Sequence, residues 1–473
     1  MAKQQLLNSW DTREARRGEL DGRFLVGSMT QGTYSLPSCT ASTGRNPDLV
    51  VFRSDAMARA AGLRPCKSCR PDRLLALQGN GLGEFTRMRD LVHSDPSAIL
   101  SADHLAHASG LSPSRLEIIL GDHAQLSPDE WLVQQRVRFS AEHLLTTSAS
   151  IAAVAASAGF SDRASYAQAF LARMRMLPSA YRVMSREGAF QLQLPAIYRA
   201  SEVFAYQGRD PDGLAERCDG QQILKALGTD DGPAVLNITF ANQVANIRVD
   251  SPRKLSPLSL AKLHRDALRI LGLENDIESF EATHKDLVGA RGGLRIPLIP
   301  SAFDALAWAI VGQQVNVSFA SSLRRELIVI AGERVGDMIV HPTPQAVANL
   351  DSSALTSRRF SRSKAQYLIG AAQAISAGRL DIESLRDGSA VEAEDLLTAQ
   401  HGIGTWTARY VLLRTGFADA APVGDSGLAT ALERVYNLAE RPDAVKSAQL
   451  MAKYAPWRSL ASVHLWASLA PNS

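Results

Sequence analysis

The run Leu396–Asp425, LLTAQHGIGTWTARYVLLRTGFADAAPVGD, holds the residue types and spacing best suited to chemistry in this chain. An apolar helical segment breaks at His401, Gly402, Ile403 and Gly404, and a second helix starts at once from Thr405. The two glycines place no side chain between backbone and partner, so the amides that open the second helix are free to meet an anion. A helix N-terminus with bare amides is a phosphate site. Trp406 and Tyr410 stand four apart on one helical face, which suits an aromatic pocket wall. Asp425 follows in a Gly/Pro loop as a lone carboxylate. Plainer readings stand beside these. Trp and Tyr at helical spacing commonly fill cores, and Asp is a favoured N-cap for a helix that opens near Ser426.

A second reactive group lies near the N-terminus. Cys66 and Cys69 form a CxxC, the knuckle that offers two thiolates to one zinc, and Cys39 is the only third thiolate nearby. A closed zinc site needs four ligands. Water, Ser35 or another group would complete it; the other reading is a fold that keeps its shape without metal.

The elements that must carry these groups fall into segments. Residues 84–185 contain two similar plans. SADHLAHASGLSPSRLEIIL (Ser101–Leu120) turns at Gly110, with Ser112 or Ser114 as cap, and IAAVAASAGFSDRASYAQAF (Ile151–Phe170) turns at Gly159. Residues 190–285 include strand-like AVLNITF (Ala234–Phe240) and ANIRVD (Ala245–Asp250), with GTDDGP as a turn signal. Residues 286–470 read as helix after helix with no strand runs.

The 473 residues predict two to four domains, and 45% apolar with 21% charged residues is ordinary for a globular protein. No apolar run reaches the eighteen or so residues of a membrane span, and MAKQQLLNSWDTREARRGE lacks a signal-peptide core. The expected location is the cytoplasm. A net charge of +3 permits nucleic-acid binding through a local basic face without requiring it. Four cysteines in such a chain suggest thiols or a metal, not a disulfide frame.

The HGIG-to-Asp425 pattern resembles the helix-hairpin-helix and Gly/Pro–Asp signature of base-excision DNA glycosylases. RGGLRIPLIPSAFDALAWAIVGQQVNV (Arg291–Val317) is similar to the entry to the central domain of the AlkA-type 3-methyladenine glycosylases, and APWRSLASVHLWA (Ala455–Ala467) to their closing helix. The matches fall in order across residues 190–470. His401 stands where that family usually has Pro, which alters the turn's rigidity more than its amides.

This resemblance implies hydrolysis of the N-glycosidic bond of alkylated bases in double-stranded DNA. An N-alkylated purine already leaves well, and positive charge develops on the sugar in an oxocarbenium-like transition state. A single carboxylate beside the anomeric carbon would stabilise that charge, and Asp425 falls at the family's catalytic position. The target nucleotide must be flipped out of the duplex. Trp406, Tyr410 and Trp466 match the aromatic pocket that would receive a cationic base. Ser426 and Gly427 follow Asp425 where some members place an aromatic, which implies a roomier pocket. Gln313 and Gln314 occupy the tip of the wedge loop, and Gly402, Gly404 and Thr405 the phosphate-binding turn. Carbonyls of Thr398, Gln400 and Ile403 are candidates to hold a monovalent cation. No iron–sulfur cluster is possible there, because no cysteine follows Cys218.

TYSLPSC with RPCKSCRPD resembles the N-terminal zinc domain of the adaptive-response (Ada) regulators, with Cys39, Cys66 and Cys69 as metal ligands. In that family a cysteine follows the Tyr and accepts a methyl group from a DNA phosphotriester. Here Ser35 takes its place, Leu36 replaces the usual Arg, and Thr40 the usual Pro. A serine hydroxyl ionises too weakly to act as a zinc-activated thiolate does, so methyl transfer is expected to be lost. A second methyltransferase domain, as many such regulators carry, is not expected here: it would need a cysteine in a Pro-Cys-His-type motif, and Cys218 in AERCDG has no adjacent His. Residues 84–185 resemble the AraC-type double helix-turn-helix, in which Ser114, Arg115, Arg163 and Ser165 would face DNA from the starts of the recognition helices.

The expected architecture is multidomain and mainly α. It comprises a zinc-type α/β domain over 1–80, a double helix-turn-helix bundle over 84–185, an α+β lobe over 190–285 and an all-helical glycosylase domain over 286–473. Zinc and a monovalent cation are the expected cofactors, with no organic one. Lesion-containing duplex is the expected partner, and promoter DNA a second. The alternative function is a transcription regulator of the alkylation response whose glycosylase body senses lesions.

Overall fold

The computed structural model describes residues 24–39, 49–52, 55–71 and 81–469. The N-terminal run through residue 23 and Thr40 lie outside them. Near the N-terminus four short strands form one sheet in the order Leu49–Phe52, Leu25–Ser28, Thr33–Ser35, Arg64–Pro65. Its core of Leu25, Tyr34, Phe52 and Leu63 also takes in Ala452, from the far end of the chain. The small domain is therefore seated on the C-terminal helical body.

Next come the two helix-turn-helix units, Ala102–Ala108 with Pro113–His123 and Ile151–Ser157 with Arg163–Met174. The long helix Pro128–Thr146 joins them, and Pro178–Glu187 closes the set. Local sequence explains the boundaries. Ser112 and Asp162 cap the second helix of each unit, and Ser127 with Glu130 makes a capping box ahead of Pro128. The turn at Gly159 needs glycine: its φ is +83°, and a Cβ there would sit 2.7 Å from the Pro96 carbonyl oxygen. The first unit has a core of its own around Phe85, Leu116, Leu120 and Trp131. In the second, Tyr166, Phe170 and Tyr181 share one core with Leu192, Ile238 and Leu263 of the following lobe.

That lobe is a five-stranded antiparallel sheet, ordered Ala189–Gln193, Val244–Asp250, Gly232–Ala241, Gln222–Thr229, Glu216–Cys218. Helix Pro257–Ile270 packs its apolar face, Leu263 and Ala267 included, into the same core. The helical body runs on from Ile277, and a single core reaches from there to Leu465. At its centre lies helix Ala302–Gly312, with every residue from Ala302 to Val311 buried.

The body is not wholly helical. Arg334–Val335 and Met338–Ile339 form a two-stranded ribbon whose Val335 and Met338 pack on Ala226 of the lobe. Two-residue strands are too short for an alternation pattern to register, and Gly336 at φ +59° supplies the tight turn. A buried charge network also joins lobe to body. Arg324 pairs with Glu216 at 2.6 Å and Asp304 at 2.9 Å, Lys225 meets Glu216 at 2.7 Å, and His341 lies 3.2 Å from Asp304. Two carboxylates face two cations, and burial keeps His341 neutral by lowering its pKa to about 4. Among the described residues, no helix is long and apolar enough to cross a membrane.

Candidate active site and nucleic-acid interface

Helix Ala390–Thr398, a short turn and helix Thr405–Thr415 build the hairpin. Gly402 takes φ +83°, and a Cβ there would lie 2.3 Å from the Tyr367 ring, so the turn is both left-handed and pressed against an aromatic. Gly404 is the N-cap of the second helix, with no side chain capping it and nothing within 4 Å of where its Cβ would be. Gly404 and Thr405 are exposed. The site combines uncapped first-turn amides with open space, as an anion requires. In the turn itself, the Gln400 carbonyl accepts from Ile403 N–H at 3.1 Å.

The two glutamines placed together at the wedge tip separate. Gln313 turns inward, its amide donating to the Gly402 carbonyl and to Thr407 Oγ1, both at 3.1 Å. It therefore braces the hairpin turn. Gln314 alone stands exposed at the tip, in the left-handed region at φ +56°.

Asp425 is the N-cap of helix Ser426–Val435, its Oδ1 accepting from Leu428 N–H at 2.8 Å. The same oxygen accepts from Trp466 Nε1–H at 3.0 Å. Oδ2 takes no hydrogen bond from the described residues. Gly427 closes the corner: a Cβ there would lie 3.2 Å from Asp425 Oδ1 and 3.5 Å from Trp466 Cδ1.

Trp406, Tyr410 and Trp466 come together as neighbours. Trp406 stacks on Tyr410 with centroids 5.8 Å apart, and Tyr410 lies 6.4 Å from Trp466. Each ring is half-buried. Trp406 Nε1 is buried without a partner, an unmet donor in the wall of the cage.

Four further members of the cage were not read from the sequence. Trp308 donates from Nε1 to Tyr410 Oη at 3.0 Å. The Arg209 guanidinium lies over the Tyr206 and Trp308 rings at 4.1 and 4.6 Å. Arg414 lies over Tyr206 at 4.4 Å and over Tyr410 and Trp466 at 5.6 Å. Arg414 continues the stripe of Trp406 and Tyr410 at helical spacing, which was a legible signal. Tyr206 and Arg209 come from the lobe, and only its docking on the body brings them here.

Comparison with known proteins bears on this arrangement. Residues 307–456 match the family model of the HhH-GPD superfamily of base excision DNA repair proteins. The DNA-3-methyladenine glycosylase of Bacillus subtilis is 33% identical over 58% of this chain and 95% of its own length. The chain belongs to the DNA-3-methyladenine glycosylase family. The "Probable bifunctional transcriptional activator/DNA repair enzyme AlkA" of Mycobacterium tuberculosis is 26% identical and aligns over 96% of this chain and 95% of its own length. A solved 3-methyladenine DNA glycosylase from Archaeoglobus fulgidus shares the fold at a TM-score of 0.52, with 20% identity over 59% of this chain and 97% of its own. Residues 8–72 match the metal-binding domain of Ada, and residues 105–184 a helix-turn-helix domain.

In this glycosylase the helix-turn-helix units place the four expected contact residues unequally. Arg163 is exposed at the first position of its helix, and Ser114 is half-buried at the second position of its own. Arg115 was expected to be exposed and is not: it pairs with Glu84 of the packed helix Leu82–Ser94 at 3.1 Å. Ser165 is likewise engaged, its hydroxyl donating to the Asp162 carboxylate at 2.8 Å within the helix cap. The first unit is also fastened to the catalytic body. Gln125 Oε1 accepts from the amides of Ala418 and Asp419 at 2.7 and 3.1 Å, and His123 Nδ1 meets Ser389 Oγ at 2.7 Å.

In the small domain the sulfurs of Cys39, Cys66 and Cys69 all lie within 4.8 Å of one another, with Cys39 and Cys66 3.8 Å apart. Thiolates at Zn–S distances near 2.3 Å in a tetrahedron sit about 3.8 Å apart, so these residues fit the ion. Ser35 is buried, and its hydroxyl donates to the Val26 carbonyl of the neighbouring strand at 3.3 Å.

Proposed function

We propose that this base-excision glycosylase releases alkylated bases, of the 3-methyladenine class, from duplex DNA, with Asp425 as its single catalytic carboxylate. One observation carries the reading. Asp425 is held by Leu428 and Trp466 through one oxygen, which leaves Oδ2 available beside an aromatic cage. The hairpin amides at Gly404 and Thr405 would take a backbone phosphate of the lesion strand, and Gln314 would fill the gap left in the stack. The flipped base would lie among Trp406, Tyr410 and Trp466. As the C1′–N bond breaks, its electron pair passes to the base nitrogen, and Oδ2 stabilises the positive sugar. Water then adds at C1′, and its proton leaves through Asp425 or solvent.

The N-terminal half supports DNA anchoring. Arg163 and Ser114 are the helix-turn-helix residues free to approach a backbone or groove, and promoter DNA is a second ligand of that surface. Cys39, Cys66 and Cys69 would hold zinc with a fourth ligand, which would staple the small sheet. Ser35 leaves no thiolate to accept a methyl group there. A monovalent cation at the carbonyls of Thr398, Gln400 and Ile403 would help hold the phosphate. Work on genomic DNA by a chain whose four cysteines form no disulfide fits the cytoplasm.

The test is release of free base from a methylated duplex by purified protein beside Asp425→Asn. Equal release by both would end the assignment of Asp425. Tight duplex binding by wild type with no release would favour the regulator reading instead.

A further inference from the structure

The cage meant to receive an electron-poor base already contains positive charge. Trp406, Tyr410 and Arg414 form one stripe down helix Thr405–Thr415, and Arg414 is its deepest member, only 8% exposed. Its guanidinium touches the faces of Tyr206, Tyr410 and Trp466. Nη1 donates to the Pro297 carbonyl at 3.4 Å, and the buried Nε meets no acceptor. Among the described residues no carboxylate touches it; burial opposes its charge, and Tyr206, Tyr410 and the more distant Asp425 carboxylate outweigh that. An arginine does not lose its charge, and taking one out of water without a carboxylate in direct contact is costly. The ring contacts and the Asp425 carboxylate offset that cost. An apolar side chain would fill the same volume without it.

We propose that Arg414 is a specificity-determining residue that draws the glycosidic electron pair towards the base. This rests on the base-excision reading above. When the C1′–N bond breaks, the base gains one electron pair and becomes one charge more negative, whatever it was before. A cationic alkylpurine becomes neutral, and a neutral base becomes an anion. The sugar becomes positive beside Asp425. Arg414 on the base side and Asp425 on the sugar side are opposed charges aligned with that movement. Arg209, half-buried over Tyr206 and Trp308, adds a second and better-screened charge to the same cage.

The consequence is a split between rate and affinity. Arg414 repels a cationic base in the bound ground state and is relieved as the bond breaks. It is indifferent to a neutral base until that base departs. Replacing Arg414 by an uncharged residue therefore slows release of both kinds of base and tightens binding of the cationic kind alone. For a unit charge about 6 Å away at an effective dielectric near 20, with about half of the charge moved in the transition state, this corresponds to about a tenfold change in rate.

The experiment uses the full chain and two duplexes, one with 7-methylguanine (cationic) and one with hypoxanthine (neutral). Single-turnover release is measured for wild type, Arg414→Met and Arg414→Lys, and Kd for each change in an Asp425→Asn background. For Arg414→Met the expected result is about tenfold slower release from both duplexes, with Kd lowered for 7-methylguanine and unchanged for hypoxanthine. Arg414→Lys, which can carry the charge but not the flat guanidinium that stacks on the rings, should recover only part of the rate lost in Arg414→Met. Weaker binding of both lesions, or an unchanged rate, would overturn the proposal. If Arg414→Met does not fold, Arg209→Met decides by the same pattern at smaller size. No release by wild type from either duplex would instead remove the base-excision reading, and this inference with it.

Discussion

Asp425 and Trp466 lie forty-one residues apart in sequence and share a hydrogen bond of 3.0 Å, donated by the indole to Oδ1. The bond ties the loop that carries the carboxylate to the last helix of the chain. With the Leu428 amide on the same oxygen, it fixes the plane of the carboxylate. Asparagine at this position keeps an oxygen for both donors and is as good an N-cap as aspartate. Asp425→Asn should therefore leave the melting temperature within about 1–2 °C of wild type while base release falls by about a hundredfold or more. Lesion binding should persist. A gel-based release assay beside a thermal melt checks both, and release within tenfold of wild type would count against the catalytic role.

Gly402 offers a test of the hairpin without touching the carboxylate. Its φ of +83° strains any other residue, and an added methyl would press into the Tyr367 ring. The turn would have to shift, and with it the carbonyl that accepts from Gln313. Gly402→Ala should cost about 1–3 kcal/mol of stability and weaken duplex binding several-fold. Gly404→Ala is a useful contrast. Its φ of −88° and open surroundings predict little loss of stability, so weaker binding there would report on crowding of the anion.

Much of this site was legible because its chemistry is local. The break at Gly402 and Gly404, the Trp406–Tyr410 face and the Asp425 cap each rest on residues close together in the chain. The Asp425–Trp466 bond was not, since only packing of the last helix supplies the donor. Tyr206 and Arg209 were invisible for the same reason, reaching the cage across the lobe–body interface. Gln313 misled because a polar residue in a loop reads as a tip, whereas a neighbouring carbonyl drew it inward. Arg115 misled because its partner Glu84 sits on a packed helix outside the motif. The two-stranded ribbon at Arg334–Ile339 is shorter than any alternation can reveal.

The small domain gives a metal prediction. Three thiols within 4.8 Å should bind one zinc per chain, measurable by atomic absorption and removable by a chelator. Cys66→Ser should abolish it. Ser35→Cys should raise retention under chelator challenge if the new thiol can leave the Val26 carbonyl for the metal. Because this domain packs on Ala452, metal removal should also lower the melting temperature of the whole chain by a few degrees. Wild-type protein purified with zinc available but holding none would leave a metal-free fold as the answer.

The pH dependence of stability follows from three histidines whose pKa burial lowers. His264 meets the Met174 carbonyl at 3.0 Å, His341 lies beside Asp304, and both ring nitrogens of His464 are buried without partners. Burial lowers each to a pKa of about 4. An unfolded histidine takes its proton near 6.5, so as the pH falls the unfolded chain binds protons that the native state refuses. Their contribution is complete above about 6.5 and is lost as the pH drops through 4, at up to roughly 3 kcal/mol for each histidine. The buried carboxylates act in a lower window. Glu216 is held near 2; burial opposes this, but Arg324 and Lys225 outweigh it. Glu216 would weaken the fold only below the ordinary carboxylate range. Urea unfolding midpoints should therefore fall steadily from pH 7 to pH 5, before the carboxylates matter. His264→Gln should flatten that slope by about a third if the three histidines contribute alike. A midpoint that holds constant between pH 7 and pH 5 would show that the three rings take up protons in the native state as readily as in the unfolded one.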